Sequence, residues 1–123
     1  PTTGTATYTS LGGTKPTDVT GGTSPGALSS ASLTVDFGAL TVSAALKITT
    51  GLGNYDLSGT GNITGNLFNV PTMTGSCAMG GPMCSGTMKG GFYGQSGERA
   101  GGVYKITDPY FPRTFVGAVA FTR

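Results

Sequence analysis

The chain has 123 residues, with 23 Gly, 7 Pro, no His, seven basic and five acidic side chains, and a formal net charge of +2. That length fills one domain spanning 1–123, and the scattered basic residues form no run that would grip nucleic acid. A hydrophobic fraction of 37% with so little net charge excludes a disordered chain, and no apolar stretch reaches the ~20 residues of a membrane-spanning helix.

Abundant Gly and Thr oppose helix and favour strands joined by tight turns. The chain begins at Pro1 without a Met, as a processed product or a C-terminal fragment of a larger protein would. From Gly4 to Leu11, Ala6, Tyr8 and Ser10 alternate with Thr5, Thr7, Thr9 and Leu11, which predicts a first strand. Residues Gly12 to Ala27 are rich in Gly, Thr and Pro, show no periodicity, and read as a long loop. The strongest signal follows. Leu33, Val35 and Phe37 alternate with Thr34 and Asp36, and beyond a Gly38-Ala39 turn Leu40, Val42, Ala44, Leu46 and Ile48 repeat the pattern. Period two over this length predicts an antiparallel hairpin with one face in a core and one in water.

Tyr55, Leu57 and Gly59 continue the alternation into another strand, whereas Ile63 to Val70 is ambiguous, with Leu67-Phe68 read as a bulge or a short helical turn. Met73 lies in a short strand before Cys77 and Cys84, whose Gly80-Gly81-Pro82 centre turns the chain so that the two sulfurs meet. The expected product is a disulfide, which points to an oxidising compartment outside the cytoplasm. The alternative is two free thiols, which with Met79 and Met83 would suit Cu(I). Thr87 to Tyr93, then Val103 to Ile106, then Thr114 to Thr122 supply the last strands, and the final one is apolar on both faces. Such a strand needs a cover, from the 12–27 loop or from another molecule.

About eight short strands with Gly turns predict an all-β barrel or sandwich. Glycines inside strands (Gly59, Gly90, Gly117) favour the barrel, because closing a small sheet needs sharply coiled strands.

Chemistry for catalysis is sparse. Without His there is no Ser or Cys triad and no common zinc or haem ligand, and Asp18, Asp36, Asp56, Glu98 and Asp108 show no motif spacing. The chain therefore reads as a non-enzyme with no cofactor and no metal. Recognition falls to Tyr110, Phe111 and Arg113 in an aromatic and basic loop, and to Tyr93, Glu98 and Arg99 around a Gly-rich turn. Tyr110 and Phe111 read equally well as a plug of the barrel end, and Glu98 as an acceptor for turn amides or a partner of a nearby cation.

Three stretches carry a family resemblance: Leu33-Thr-Val-Asp-Phe-Gly-Ala-Leu-Thr-Val-Ser-Ala-Ala-Leu46, then Gly90-Gly-Phe-Tyr-Gly94 followed by Glu98-Arg-Ala-Gly-Gly-Val-Tyr104, then Val116-Gly-Ala-Val-Ala-Phe-Thr-Arg123. Together, from Leu33 to Arg123, they resemble the C-terminal barrel of transferrin-binding protein B-like (TbpB-like) Gram-negative surface proteins. The resemblance implies a single eight-stranded antiparallel β-barrel, lipocalin-like in shape, on an exported protein that captures a host protein, haem or solute. The family's Pro-x-Ala after the glycine is Gln95-Ser96-Gly97 here, and its long gripping loops are largely missing. Hence the expected function is an extracellular, cell-surface or periplasmic module binding a protein or small ligand. The alternative is a structural, self-associating subunit or a stabilising barrel on a larger exported protein.

Overall fold

The computed structural model describes residues 4–14, 16–19, 26–51, 53–77, 84–94, 97–109 and 113–123, with the side chains of Leu11, Asp18 and Arg113 left aside. Alternating small and apolar side chains build long antiparallel strands: β1 Thr5–Gly13, β2 Thr17–Asp18, β3 Ala27–Asp36, β4 Thr41–Thr50, β5 Gly53–Thr64, β6 Leu67–Ser76, β7 Ser85–Tyr93, β8 Arg99–Asp108 and β9 Arg113–Thr122. β3 to β9 pair in chain order, β1 pairs with β3 on one side and β9 on the other, and β2 extends along β9. Eight strands thus close into an antiparallel barrel with one short extra strand.

Closure comes from the two halves of β1. Its first half runs along β3, with Tyr8 opposite Leu33, and its second half runs along β9, with Gly12 opposite Ala120 and a register shift between Ser10 and Gly12. An eight-stranded barrel is just wide enough to be filled by side chains. The inward residues do fill it, with Tyr8, Leu33, Leu46, Tyr55, Leu57, Met73, Met88, Ile106, Phe115 and Phe121 all fully buried. Near one rim Phe92 touches Tyr8, Phe37 and Phe68 at ring separations of 5.4–5.5 Å, and deeper toward the other Tyr55 packs on Phe115 at 5.6 Å.

Several local expectations change. β1 runs two residues past Leu11 and β2 lies within the 12–27 stretch, since the Thr14 amide donates to the Ala118 carbonyl, the Ala118 amide donates to the Thr14 hydroxyl, and Thr17 pairs with Val116. Residues 20–25 lie outside the described residues. Leu40 does not face the core; it sits in the β3–β4 turn, exposed, at φ 58°. Asp36 reshapes that turn, its Oδ1 accepting hydrogen bonds from the amides of Gly38 and Ala39 at 3.0 Å each. Ile63 to Val70 contains no helical turn, because the two-residue turn Gly65-Asn66 joins β5 to β6, and Leu67 and Phe68 point to opposite faces as strand residues do.

Cys77 and Cys84 form a disulfide with Cα atoms 5.8 Å apart, both residues buried. Both thiolates are engaged, which removes the cysteine half of a Cu(I) site; Met79 and Met83 lie outside the described residues. Replacing both cysteines by Ala should cost about 2–3 kcal/mol of stability in urea melts, by relief of the constraint on the unfolded chain.

Glycine is required by close approach of the strands at Gly90. A Cβ there would lie 1.9 Å from the carbonyl oxygen of Gly101 on the paired strand, so only a bare backbone fits. The Gly90→Ala variant should lose about 1–3 kcal/mol. Gly12→Ala, where a Cβ would meet nothing within 4 Å, should change stability by less than about 0.5 kcal/mol. Equal losses in the two urea melts would contradict this account.

Candidate functional site on the outer wall

Hairpin connections divide the expected recognition residues between opposite rims of the barrel. Tyr93, Glu98 and Arg99 flank the β7–β8 turn, on the rim that also carries the β3–β4 and β5–β6 turns. Arg113 begins β9 opposite Asp108, on the other rim; Tyr110 and Phe111 lie outside the described residues. The two groups are not brought together.

At the first rim the β7–β8 turn is held by glycines at positive φ, Gly94 (90°) and Gly97 (64°), with the Gly97 amide donating to the Gly94 carbonyl at 3.3 Å. Glu98 folds against Gly94, where a Cβ would lie 2.1 Å from its Oε1. Arg99 donates a hydrogen bond to the Thr122 hydroxyl. The Tyr8 hydroxyl donates to the Gly97 carbonyl at 2.5 Å from inside the rim. Burial raises the Tyr8 pKa; Arg123 opposes that shift and Glu98 adds to it.

The outer wall has two unlike halves, and the strand register shows it. Over β1, β3, β4 and β5 successive rows read Thr7–Thr34–Ser43–Thr60 and Thr9–Ser32–Ala45–Ser58, hydroxyls throughout but for one Ala, with Lys47 and Asp56 paired at 3.7 Å below them. Over β6 to β9 and into β1 and β2 the rows read Leu67–Gly91–Gly101–Ala120–Gly12, then Asn69–Lys89–Val103–Ala118, then Thr87–Lys105–Val116–Thr17. No carboxylate appears in these three rows. Leu67, Tyr93 and Val103 are exposed to 60%, 57% and 54%, far more than large apolar side chains need be.

Tyr93 lies across the glycine pair, since a Cβ on Gly101 would fall 3.3 Å from its Cε2 and one on Gly91 3.6 Å from its Oη. An aromatic ring laid over paired glycines shields backbone that has no side chain to cover it. Between this ring, Val103 and Ala118–Ala120 lies a shallow trough of about 550 Å³, with Lys89 on its wall. Val116 and Ala118 are half-buried beside it. β1 and β2 border β9 edge to edge, and among the described residues none lies over its outer face. The two-faced apolar character of the final strand is thus explained on its inner side by the core; residues 20–25 of the 12–27 loop expected over its outer side lie outside the described residues.

Inside the barrel two polar groups escape sequence reasoning. The Tyr55 hydroxyl donates to Asp108 Oδ2 at 2.6 Å, both residues buried. Their separation of 53 positions leaves no local signal; only that both sit at inward positions of alternating strands could have flagged them. The Tyr104 hydroxyl, over Gly117, is buried with no hydrogen-bond partner among the described residues, and burial pushes its pKa up to about 12. Tyr55→Phe should therefore cost about 1–3 kcal/mol by stripping a donor from a buried carboxylate, while Tyr104→Phe should be neutral or slightly stabilising. The raised pKa carries a sign: the unfolded tyrosine ionises near 10, so stability holds below that pH and falls as pH climbs toward 12. Thermal melts from pH 9 to 11.5 should show a shallower alkaline loss for Tyr104→Phe than for the parent.

None of the curated protein sequences matches the chain. Among solved structures, the vaccine antigen transferrin-binding protein B of Haemophilus parasuis Hp5, as a Tyr-and-Trp double mutant, superposes with a TM-score of 0.64 at 16% identity, covering 99% of this chain and 26% of that one. A single Trp mutant of the same antigen gives a TM-score of 0.64 at 17% identity, covering 99% of this chain and 27% of that one. At such identity the likeness is one of fold, and the chain spans about a quarter of those proteins. The sequence pattern that describes the C-lobe and N-lobe beta barrels of Tf-binding protein B matches residues 1–120. With strand order, closure and sequence pattern in agreement over nearly its whole length, the chain belongs to the family of C-lobe and N-lobe β-barrels of Tf-binding protein B.

Proposed function

We propose that this chain is a non-catalytic binding module of a bacterial surface protein, and that it holds another protein by the outside of its barrel. The carrying observation is the packed interior. A lipocalin-like cup would offer a central cavity to a solute, whereas here Tyr8, Leu46, Tyr55, Met88 and Phe121 take up that space. Recognition then falls to rims and wall, where the exposed apolar side chains stand. The disulfide supports an oxidising location outside the cytoplasm, and so does the kinship with a vaccine antigen named for binding transferrin. Tyr93 and Arg99 at the first rim and Arg113 at the other remain contact residues on this reading, together with Tyr110 and Phe111, which lie outside the described residues; Glu98 shapes the turn between the first two.

A structural role, with copies joined strand to strand, is the rival. Closure of β1 on β9 argues against it, because among the described residues it leaves only short edges, at β2 and at the start of β3, as templates for added strands. The chain purified unreduced from its own cells and sprayed under native conditions should appear as a monomer, alone or with one different protein bound. A ladder of homomultimers would sink the binding reading in favour of the structural one.

A further inference from the structure

We infer that the outer wall over β6–β9 is the docking face for a separate protein that presents apolar side chains among carboxylates, an inference that rests on the binding-module reading above. Lys89 and Lys105 stand as diagonal neighbours on paired strands with Val103 beside them, and both are exposed. No carboxylate among the described residues lies within ion-pair distance of either, and the ion pair of Lys47 with Asp56 belongs to the other half of the wall. A cationic pair set in an apolar face is electrostatically complementary to an acidic, apolar surface.

Shape narrows the occupant further. The stretch Gly101–Ala120–Gly12 is recessed for want of side chains, between the Tyr93 ring on one side and Val103 on the other. A trough receives protruding side chains, as an interface core does, whereas insertion into a lipid surface needs a projecting apolar ridge. A second copy meeting this face with its own would bring four lysines together, which like-charge repulsion disfavours. Pairing by strand addition is closed off because β6 to β9 have neighbours on both sides. Contact must run through side chains.

The test titrates the isotopically labelled chain, followed by amide NMR, with two peptides of equal length and identical Leu and Tyr content. One carries Glu at every polar position and the other Lys. The acidic peptide should shift amides around Lys89, Val103, Lys105 and Ala118 and bind at least about tenfold tighter than its basic counterpart, weakening as salt is raised to about 0.5 M. The Lys89→Glu/Lys105→Glu variant should lose about tenfold in affinity for the acidic peptide and gain for the basic one. Val103→Thr, which preserves strand and charge, should weaken both peptides. Equal binding of the two peptides, no shifts at about 1 mM peptide (the weak end of specific binding), or binding only to vesicles of anionic phospholipid would overturn the inference. Shifts confined to the two rims would overturn this face while leaving the binding-module reading intact; homomultimers in the native spectrum would remove that reading itself.

Discussion

Closing eight strands on themselves is the constraint from which the rest follows. Once β1 pairs with β9, the interior has room for a single filling of side chains, and inward positions are apolar or hydrogen-bonded, the Tyr104 hydroxyl excepted. That demand explains the alternation along β3, β4 and β5 and the aromatic packing of Tyr8, Phe37, Phe68 and Phe92. It also explains why the few polar groups inside matter. Asp108 is tolerated because Tyr55 donates to it, and Tyr104 keeps an unpartnered hydroxyl because its ring occupies the space that Gly117 leaves.

A filled interior also relocates function. The walls of a small barrel are usually inert scaffolding between functional loops. Here one half of the wall is a lattice of hydroxyls, well hydrated, and the other is a patch of Gly, Ala, Val, Leu and Tyr edged by lysines. The difference is not imposed by closure, since both halves face outward and both pack on the same core. Glycine pairs serve two ends at once. Gly90 opposite Gly102 lets β7 and β8 approach and coil, while Gly91 opposite Gly101 on the outer side leaves the recess that Tyr93 roofs.

Belonging to a family of barrels named for a transferrin-binding protein places this chain by fold and sequence pattern, over 1–120. The solved relatives are roughly four times as long, so this chain corresponds to about a quarter of each.

Much of the architecture was legible in the residues themselves. Period-two alternation identified the strands of the Leu33–Ile48 hairpin and placed Phe115, Gly117, Val119 and Phe121 on one face of the last strand, because in a strand the side-chain direction depends only on parity; the structure shows that face to be the inner one. Gly inside strands pointed to a barrel, and Cys77 and Cys84 to their disulfide, since both are local consequences of backbone geometry. What parity could not supply was register. Leu40 broke the pattern because Asp36 captured the turn amides, a competition between side chain and backbone that alternation ignores. Tertiary structure alone decided that Tyr93 and Arg113 stand on opposite rims and that Tyr55 reaches Asp108. It alone aligned Leu67, Tyr93, Lys89, Val103 and Ala118 into one face. These residues come from four strands, and only the pairing of those strands brings them side by side.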